Sequence, residues 1–393
     1  MIQTHATKPL VTVTGATGYG RARLWLGISG VGTIVVLAAA SLALDLPHQL
    51  ATVFDDSLAS QTLMLLAFVL AYAIVQAPFD LFGGYLLPKR FGRAHPSTGR
   101  FVAGWLRGAS VHAVLLLMVG DALLFAGRSF GLSGTITTGV LVSIVLLMIR
   151  RPLAGMIAPL KERKETVSAV RGEHNAPSVR VIESADEGFT GGFTGVIRPR
   201  EVLLPARWID DLTEQSREVV MQRRRLAVRT GAWLRGRVLA LAFTWTGIVL
   251  AAILVGAENL GIGEGVITFS LWFTLWSFLG LLTLPTPSRA GVIAVDAALQ
   301  ASGVDASTLN DAIQSLDAFQ DRERTRPAGV EAIFHPVPAV QNRIEGRLAK
   351  GRRGFLDAAR TSVFLSASGL GLLGRAVHCN SGRPALWIFL PSD

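Results

Sequence analysis

Six long apolar stretches constrain this chain more than any other feature. They lie near residues 24–45, 62–87, 102–127, 133–150, 237–257 and 266–285. A helix needs about 20 residues to cross a hydrocarbon layer about 30 Å thick. Each stretch reaches or approaches that length, the fourth being the shortest, so the sequence predicts six membrane-crossing helices. The loops between them alternate in charge. The N-terminal tail carries Lys8, Arg21 and Arg23, and the first loop Asp45, Asp55 and Asp56. The second loop holds Lys89, Arg90, Arg93 and Arg100, and the third is a short turn near Arg128. The fourth, 151–236, is long and basic; the fifth holds only Glu258 and Glu264; the tail after Pro285 is basic again. Positive loops stay on the cytoplasmic side, so both termini are expected there. The N-terminal tail is too long and polar for a cleaved leader, which makes the first span an uncleaved anchor.

Composition agrees with a membrane protein: 50% of the 393 residues are hydrophobic and 17% charged. The 38 Lys and Arg against 28 Asp and Glu give a formal net charge of +10. No nucleic-acid-binding motif accompanies that charge, and its confinement to alternate loops explains it, so no nucleic-acid partner is expected. The bilayer is, with anionic lipid headgroups at the basic cytoplasmic face. The single cysteine, Cys379, excludes an intrachain disulfide and any Cys-rich zinc site. The Ala-, Arg- and Gly-rich composition points to a bacterial inner membrane. Four regions follow: a four-span region 1–150, an extramembrane segment 151–236, a two-span hairpin 237–286 and a helical cytoplasmic segment 287–393.

In the first extramembrane segment, 161–177 is charged linker. Ser178-Val-Arg-Val-Ile-Glu183 alternates polar and apolar residues as a half-buried strand does. Glycines 188, 191, 192 and 195 mark turns, and Glu201 to Pro205 is a second short strand. Trp208 to Gly231 reads as a helix with Thr213 or Ser216 as its cap. In the second segment, Ser288–Gly303 and Ser307–Glu323 read as helices, the latter capped by Ser307. Val337–Arg353 is basic and amphipathic. The apolar patches 363–373 and 385–390 are separated by Arg375, His378 and Arg383 and are not read as a seventh span; the membrane surface is one place open to them, and whether 363–391 enters the membrane is left open by the sequence.

Four blocks share an order with a known family: Pro78 to Gly92; Gly191 to Trp208; the helix 214–231 leading into a span; and Ser288, Arg289 and Asp296 followed by His335-Pro336 and Arg343-Ile344. Together they resemble the integral-membrane zinc metallopeptidases, the family of the CAAX prenyl endopeptidases and heat-shock membrane proteases. The resemblance implies an α-helical multi-span protein of about six transmembrane helices with a small cytoplasmic α+β metallopeptidase-like domain. It also implies a zinc helix carrying H-E-x-x-H and a third ligand, a Glu, four residues before the aspartate that falls on Asp296. Here the zinc helix carries Arg223, Arg224 and Arg225; the second histidine position falls on Ala227 in the first register, and the third-ligand position on Val292. No register supplies a histidine. Zinc is the cofactor the family implies, but its ligands are absent, so no cofactor and no catalytic residue are expected. Arg289, Asp296, His335, Pro336 and Arg343 are the retained positions.

Each feature also has a plainer reading. Arg223–Arg225 are expected on a solvated or snorkelling helix face near the membrane, touching anionic headgroups. Asp296 is expected to orient local backbone or Arg289, and His335 to be structural. Gln76, His112 and Asp121 lie within spans, where polar groups are costly unless paired or wet; Asp80 is expected near a span end with easy hydration. Glu173-His174 is a poor ligand pair in a polar linker. The resulting expectation is an inactive homologue of a membrane metallopeptidase that binds a protein or lipid partner. The alternative is a membrane enzyme with rebuilt chemistry, or a small-solute transporter.

Overall fold

The computed structural model describes residues 16–164, 177–320, 323–346 and 353–391. Among these, five helices are long and apolar enough to cross a membrane: Gly18–Ala43, Leu58–Arg90, Thr98–Met148, Ala232–Val255 and Gly263–Ala301. The third has 51 residues, far more than one crossing needs. Its backbone leaves helical geometry at Gly131, where φ is 57° and ψ −139°, a region open to glycine because it has no Cβ. The two legs then run antiparallel. Arg107 near the start donates to the carbonyls of Gly155 and Met156 just beyond the end. The expected spans near 102–127 and 133–150 are therefore the two legs of one hairpin.

Outside the spans, a four-stranded sheet has the order β1-β2-β4-β3, with β1 Lys161–Arg163, β2 Ser178–Glu183, β3 Gly192–Phe193 and β4 Glu201–Pro205. β2 pairs parallel with β4, Ser178 opposite Glu201. Both strands expected from the alternating pattern are present. The expected helix 208–231 is broken into Ala206–Asp211 and Glu214–Arg229, and the Thr213 hydroxyl caps the second by accepting from Ser216 N at 3.2 Å. The last of the long apolar helices divides at Leu284 into the crossing Gly263–Thr283 and a helix Pro285–Ala301, and Ala306–Phe319, Ala328–Phe334 and Val340–Gly346 follow. Ser307 is not the cap of Ala306–Phe319: the Asp305 carboxylate is, accepting from Ser307 N and Thr308 N. A carboxylate at a helix N-terminus is favoured over a hydroxyl there by the helix dipole. The expected amphipathic stretch 337–353 ends as a helix at Gly346, and 347–352 lies outside the described residues, as does Glu173-His174.

The largest departure concerns the segment after Leu356. It does not lie on the membrane surface. The helix Ala358–Leu365 and a π-helical turn Ser366–Leu370 pack among the spans, and Leu370, Leu372, Leu373 and Ala376 share one core with Met64, Leu116, Val119, Ile248 and Phe273. The chain reverses at Gly369 (φ 131°) and returns to pack Trp387, Ile388 and Phe389 against Leu146, Leu147 and Leu153. Irregular backbone is tolerated between spans only where protein covers it and its polar groups are satisfied. Here the Leu372 amide donates to Thr274 Oγ1 at 3.1 Å, and a His112 ring nitrogen meets the Ala367 carbonyl. Hydropathy failed to find this re-entrant segment because protein, not lipid, surrounds it.

Its entry is tight. A Cβ on Gly236 would lie 1.4 Å from the Leu356 carbonyl oxygen, and Leu356 N donates to Ala232 O at 3.0 Å. Gly236→Ala is expected to cost about 1–3 kcal/mol of stability. Gly32→Ala, whose Cβ meets nothing within 4 Å, is the control that keeps the wild-type midpoint in detergent thermal unfolding.

Candidate functional site

Helix Glu214–Arg229 ends at Thr230, and Gly231, with φ 70°, turns the chain into the span Ala232–Val255. This fixes its inner face against the helix Pro285–Ala301. Residues four apart share a helix face, so Arg223 and Ala227 point together toward Val292 and Asp296. Arg223 and Arg224 are 4% and 3% exposed. The solvated arginine face expected from the sequence is therefore overturned for both. Only Arg225 is partly open, with Nη1 3.9 Å from Glu218 Oε1.

The buried arginines are held by specific acceptors. Asp296, with no exposed surface, accepts from Arg223 Nε at 2.6 Å and from Arg343 Nε and Nη2 at 2.8 and 3.1 Å. Two guanidinium groups thus close on one carboxylate. Asp296 does not orient Arg289, which lies two turns earlier on the helix and donates to Thr286 Oγ1 at 3.2 Å. Arg224 donates to the carbonyls of Leu203 on β4 and Thr190 at 2.8 and 2.6 Å, with its guanidinium carbon 4.9 Å from the Trp208 ring centre. Beside these, Ala227, Ala232, Val292, Val295 and Leu356 form one buried apolar cluster. His335 is buried, its ring 4.8 Å from that of His378, and Pro336 follows it at the end of helix Ala328–Phe334.

The fit of a zinc ion can be judged from these side chains. Zinc takes lone pairs from imidazole, thiolate or carboxylate. A guanidinium has none to give and carries a positive charge; alanine and valine present hydrocarbon. Arg223, Ala227 and Val292 therefore do not fit zinc. Among the described residues, no group of three or more His, Cys, Asp or Glu side chains is placed to hold a metal.

A second polar centre lies between the spans. Asp80, expected to be hydrated at a span end, has no exposed surface. It pairs with Arg375 of the re-entrant segment and accepts from Trp105 Nε1 at 2.9 Å and the Gly382 amide at 2.8 Å. Gln76 Nε2 donates to Arg375 O at 3.3 Å, and Arg375 Nη1 lies 3.4 Å from His112 Nδ1. Its guanidinium carbon sits 4.1 Å from the Trp387 ring centre. Asp121 stands apart, accepting from Thr62 Oγ1 at 2.9 Å. The sequence signal for this centre was an aspartate and an arginine isolated in apolar stretches; what it lacked was any hint that the two meet. On the basic side, Arg383 Nε donates to Asp186 Oδ2 at 2.8 Å. Burial alone would raise the Asp186 carboxyl, but Arg383 and the Gly188 amide outweigh it and hold it below the usual carboxylate range.

The sequence profile of the CAAX prenyl protease N-terminal family, described as five membrane helices, matches residues 10–162. A crystal structure of S. mikatae Ste24p superposes with a TM-score of 0.65, covering 84% of this chain and 87% of that one. The N-terminal membrane region of this chain is therefore similar to that of the CAAX prenyl proteases, and the chain shares the fold of Ste24p. No curated protein matches it by sequence. At 14% identity the likeness to Ste24p is one of fold, so the two share an architecture while the chemistry of this chain rests on its own side chains.

Proposed function

We propose that this chain is a non-hydrolytic member of the membrane metallopeptidase family, one that holds a protein or lipid partner instead of cleaving a peptide. The observation that carries the reading is the Arg223–Asp296–Arg343 cluster beside the apolar contact of Ala227 with Val292. In the resembled family the positions of Arg223, Ala227 and Val292 carry the zinc ligands, and Asp296 and Arg343 are retained. Here Arg223 joins the retained pair in a buried ion cluster, and packed hydrocarbon takes the other two positions. Arg224 stands where the family's catalytic glutamate is expected and ties the helix to the sheet, a structural use of a position that would otherwise polarise water. The alternation of its loop charges supports cytoplasmic termini, and the Ala-, Arg- and Gly-rich composition supports a bacterial inner membrane as its setting.

A groove of about 670 Å³ along the outer side of helix Glu214–Arg229, lined by Trp208, Leu212, Glu218, Met221 and Arg225 among others, offers a partner mixed apolar and charged contact. Its size is within the range of sites that take small ligands or a peptide side-chain cluster. Elemental analysis of the detergent-purified protein tests the reading, run beside an active family member. Zinc well below one atom per chain and no chelator-sensitive peptidase activity are expected. About one zinc per chain, with activity that a chelator abolishes, would overturn it.

A further inference from the structure

A cavity of about 280 Å³ opens between the first span, the last span and the returning end of the re-entrant segment. One end is hydrocarbon, lined by Leu24, Ile28, Val31, Phe278 and Leu281. The other end lies where the last span gives way to helix Pro285–Ala301, and there the wall includes Arg360. Arg360 is 6% exposed. Its neighbour Ala359 donates to Ser288 Oγ at 3.2 Å, which places the guanidinium beside the span's end. Arg360 Nη1 donates to Asp357 Oδ1 at 2.7 Å, while Nε and Nη2 are buried without a hydrogen-bond partner.

Those two atoms form one edge of the guanidinium, the edge that gives two parallel N–H groups to a carboxylate or phosphate. A buried donor pair left unmade is costly, and such groups in native structures call for a partner. The cavity's size is just under the usual range for small-molecule sites, about 300–1,000 Å³, and suits one hydrocarbon chain rather than two. In a bilayer an apolar slot has little preference of its own, because lipid tails are as apolar as the slot. Selection must come from the headgroup. We propose that this cavity is a binding site for an anionic phospholipid of the surrounding bilayer, with one acyl chain between the first and last spans and a phosphate oxygen pair on the Nε–Nη2 edge of Arg360. This rests on the reading of the chain as a holder of partners and gives that reading one ligand class and one place.

The test uses native mass spectrometry of the full chain in detergent with dioleoylphosphatidylglycerol, dioleoylphosphatidylcholine and oleate as separate probes. Wild type is expected to retain phosphatidylglycerol about tenfold better than phosphatidylcholine, the order of a charge-assisted bidentate contact. Arg360→Gln is expected to bring the two to parity. Gly32 lines the cavity and has open space at its Cβ position, so Gly32→Phe is expected to reduce retention of both lipids without lowering the thermal midpoint. If Arg360→Gln does not fold, the Gly32→Phe comparison carries the test. Equal retention of the two phospholipids by wild type, or unchanged retention in Gly32→Phe, would overturn the proposal. Oleate displacing phosphatidylglycerol at equal concentration would overturn the phospholipid assignment in favour of a free carboxylate. None of these ratios depends on zinc or peptidase activity, so a chain that proved hydrolytic would fail the previous reading while leaving this one to its own result.

Discussion

Asp296→Ala is expected to destabilise the protein by about 3–5 kcal/mol, the scale for removing one partner of a buried ion cluster. The substitution leaves Arg223 and Arg343 facing each other with no carboxylate between them. Replacing the whole cluster is expected to behave differently. Asp296→Leu together with Arg223→Met and Arg343→Met removes all three charges of the cluster, and such apolar exchanges are often neutral or stabilising. Thermal unfolding in detergent distinguishes the cases. A single variant with a wild-type midpoint would mean that water reaches the cluster and that the site is open rather than sealed. The contrast also bears on function: a cluster whose complete removal leaves stability intact is one that the fold does not require, and its presence then calls for another explanation.

The second large effect is expected at the centre of the bundle. Arg375→Ala and Asp80→Ala should each cost about 3–5 kcal/mol, because each leaves a charge buried among the spans. Arg375→Ala strands the Asp80 carboxylate with the neutral N–H groups of Trp105, Gly382 and Gln76 and no countercharge from Arg375. Asp80→Ala strands a guanidinium whose remaining neighbours are His112 and the rings of Trp387 and Tyr72. The double variant is expected to lose less than the sum, with a coupling of about 0.5–3 kcal/mol in a double-mutant cycle. A structural readout accompanies the energies: the re-entrant segment should become cleavable by added protease between Gly371 and Arg383 in either single variant. Protection equal to wild type in both would mean that apolar packing alone holds the segment in place.

How much of this was legible beforehand depends on which force set each feature. The spans were, because transfer of about 20 apolar residues into lipid outweighs everything local. β2 and β4 were, because the alternation of Ser178–Glu183 and the short apolar run of Glu201–Pro205 before a helix are local patterns. The blocks around Asp296 and His335 pointed to the family through their order. The fate of the arginines was not legible. Arg223 and Arg225 are chemically identical and two residues apart, yet one is sealed against Asp296 and the other is partly open. Only the packing of helix Pro285–Ala301, some seventy residues away, decides between them. The re-entrant segment was hidden for a related reason. Its apolar patches are short and broken by Arg375 and His378, which reads as surface until Asp80, His112 and the interior carbonyls are known to lie within reach.

The re-entrant segment also sets an order of events in the making of the protein. Residues 358–391 are synthesised after every span, yet Leu370, Leu372 and Leu373 belong to the core those spans share. Helices enter a bilayer first and associate afterwards. Until the segment arrives, Asp80 and His112 stand in the bundle without Arg375 and without the Ala367 carbonyl. The spans therefore cannot reach their final packing one by one as they leave the insertion machinery. They must wait, loosely gathered and wet at the centre, for the chain's last folding step to seal them from within.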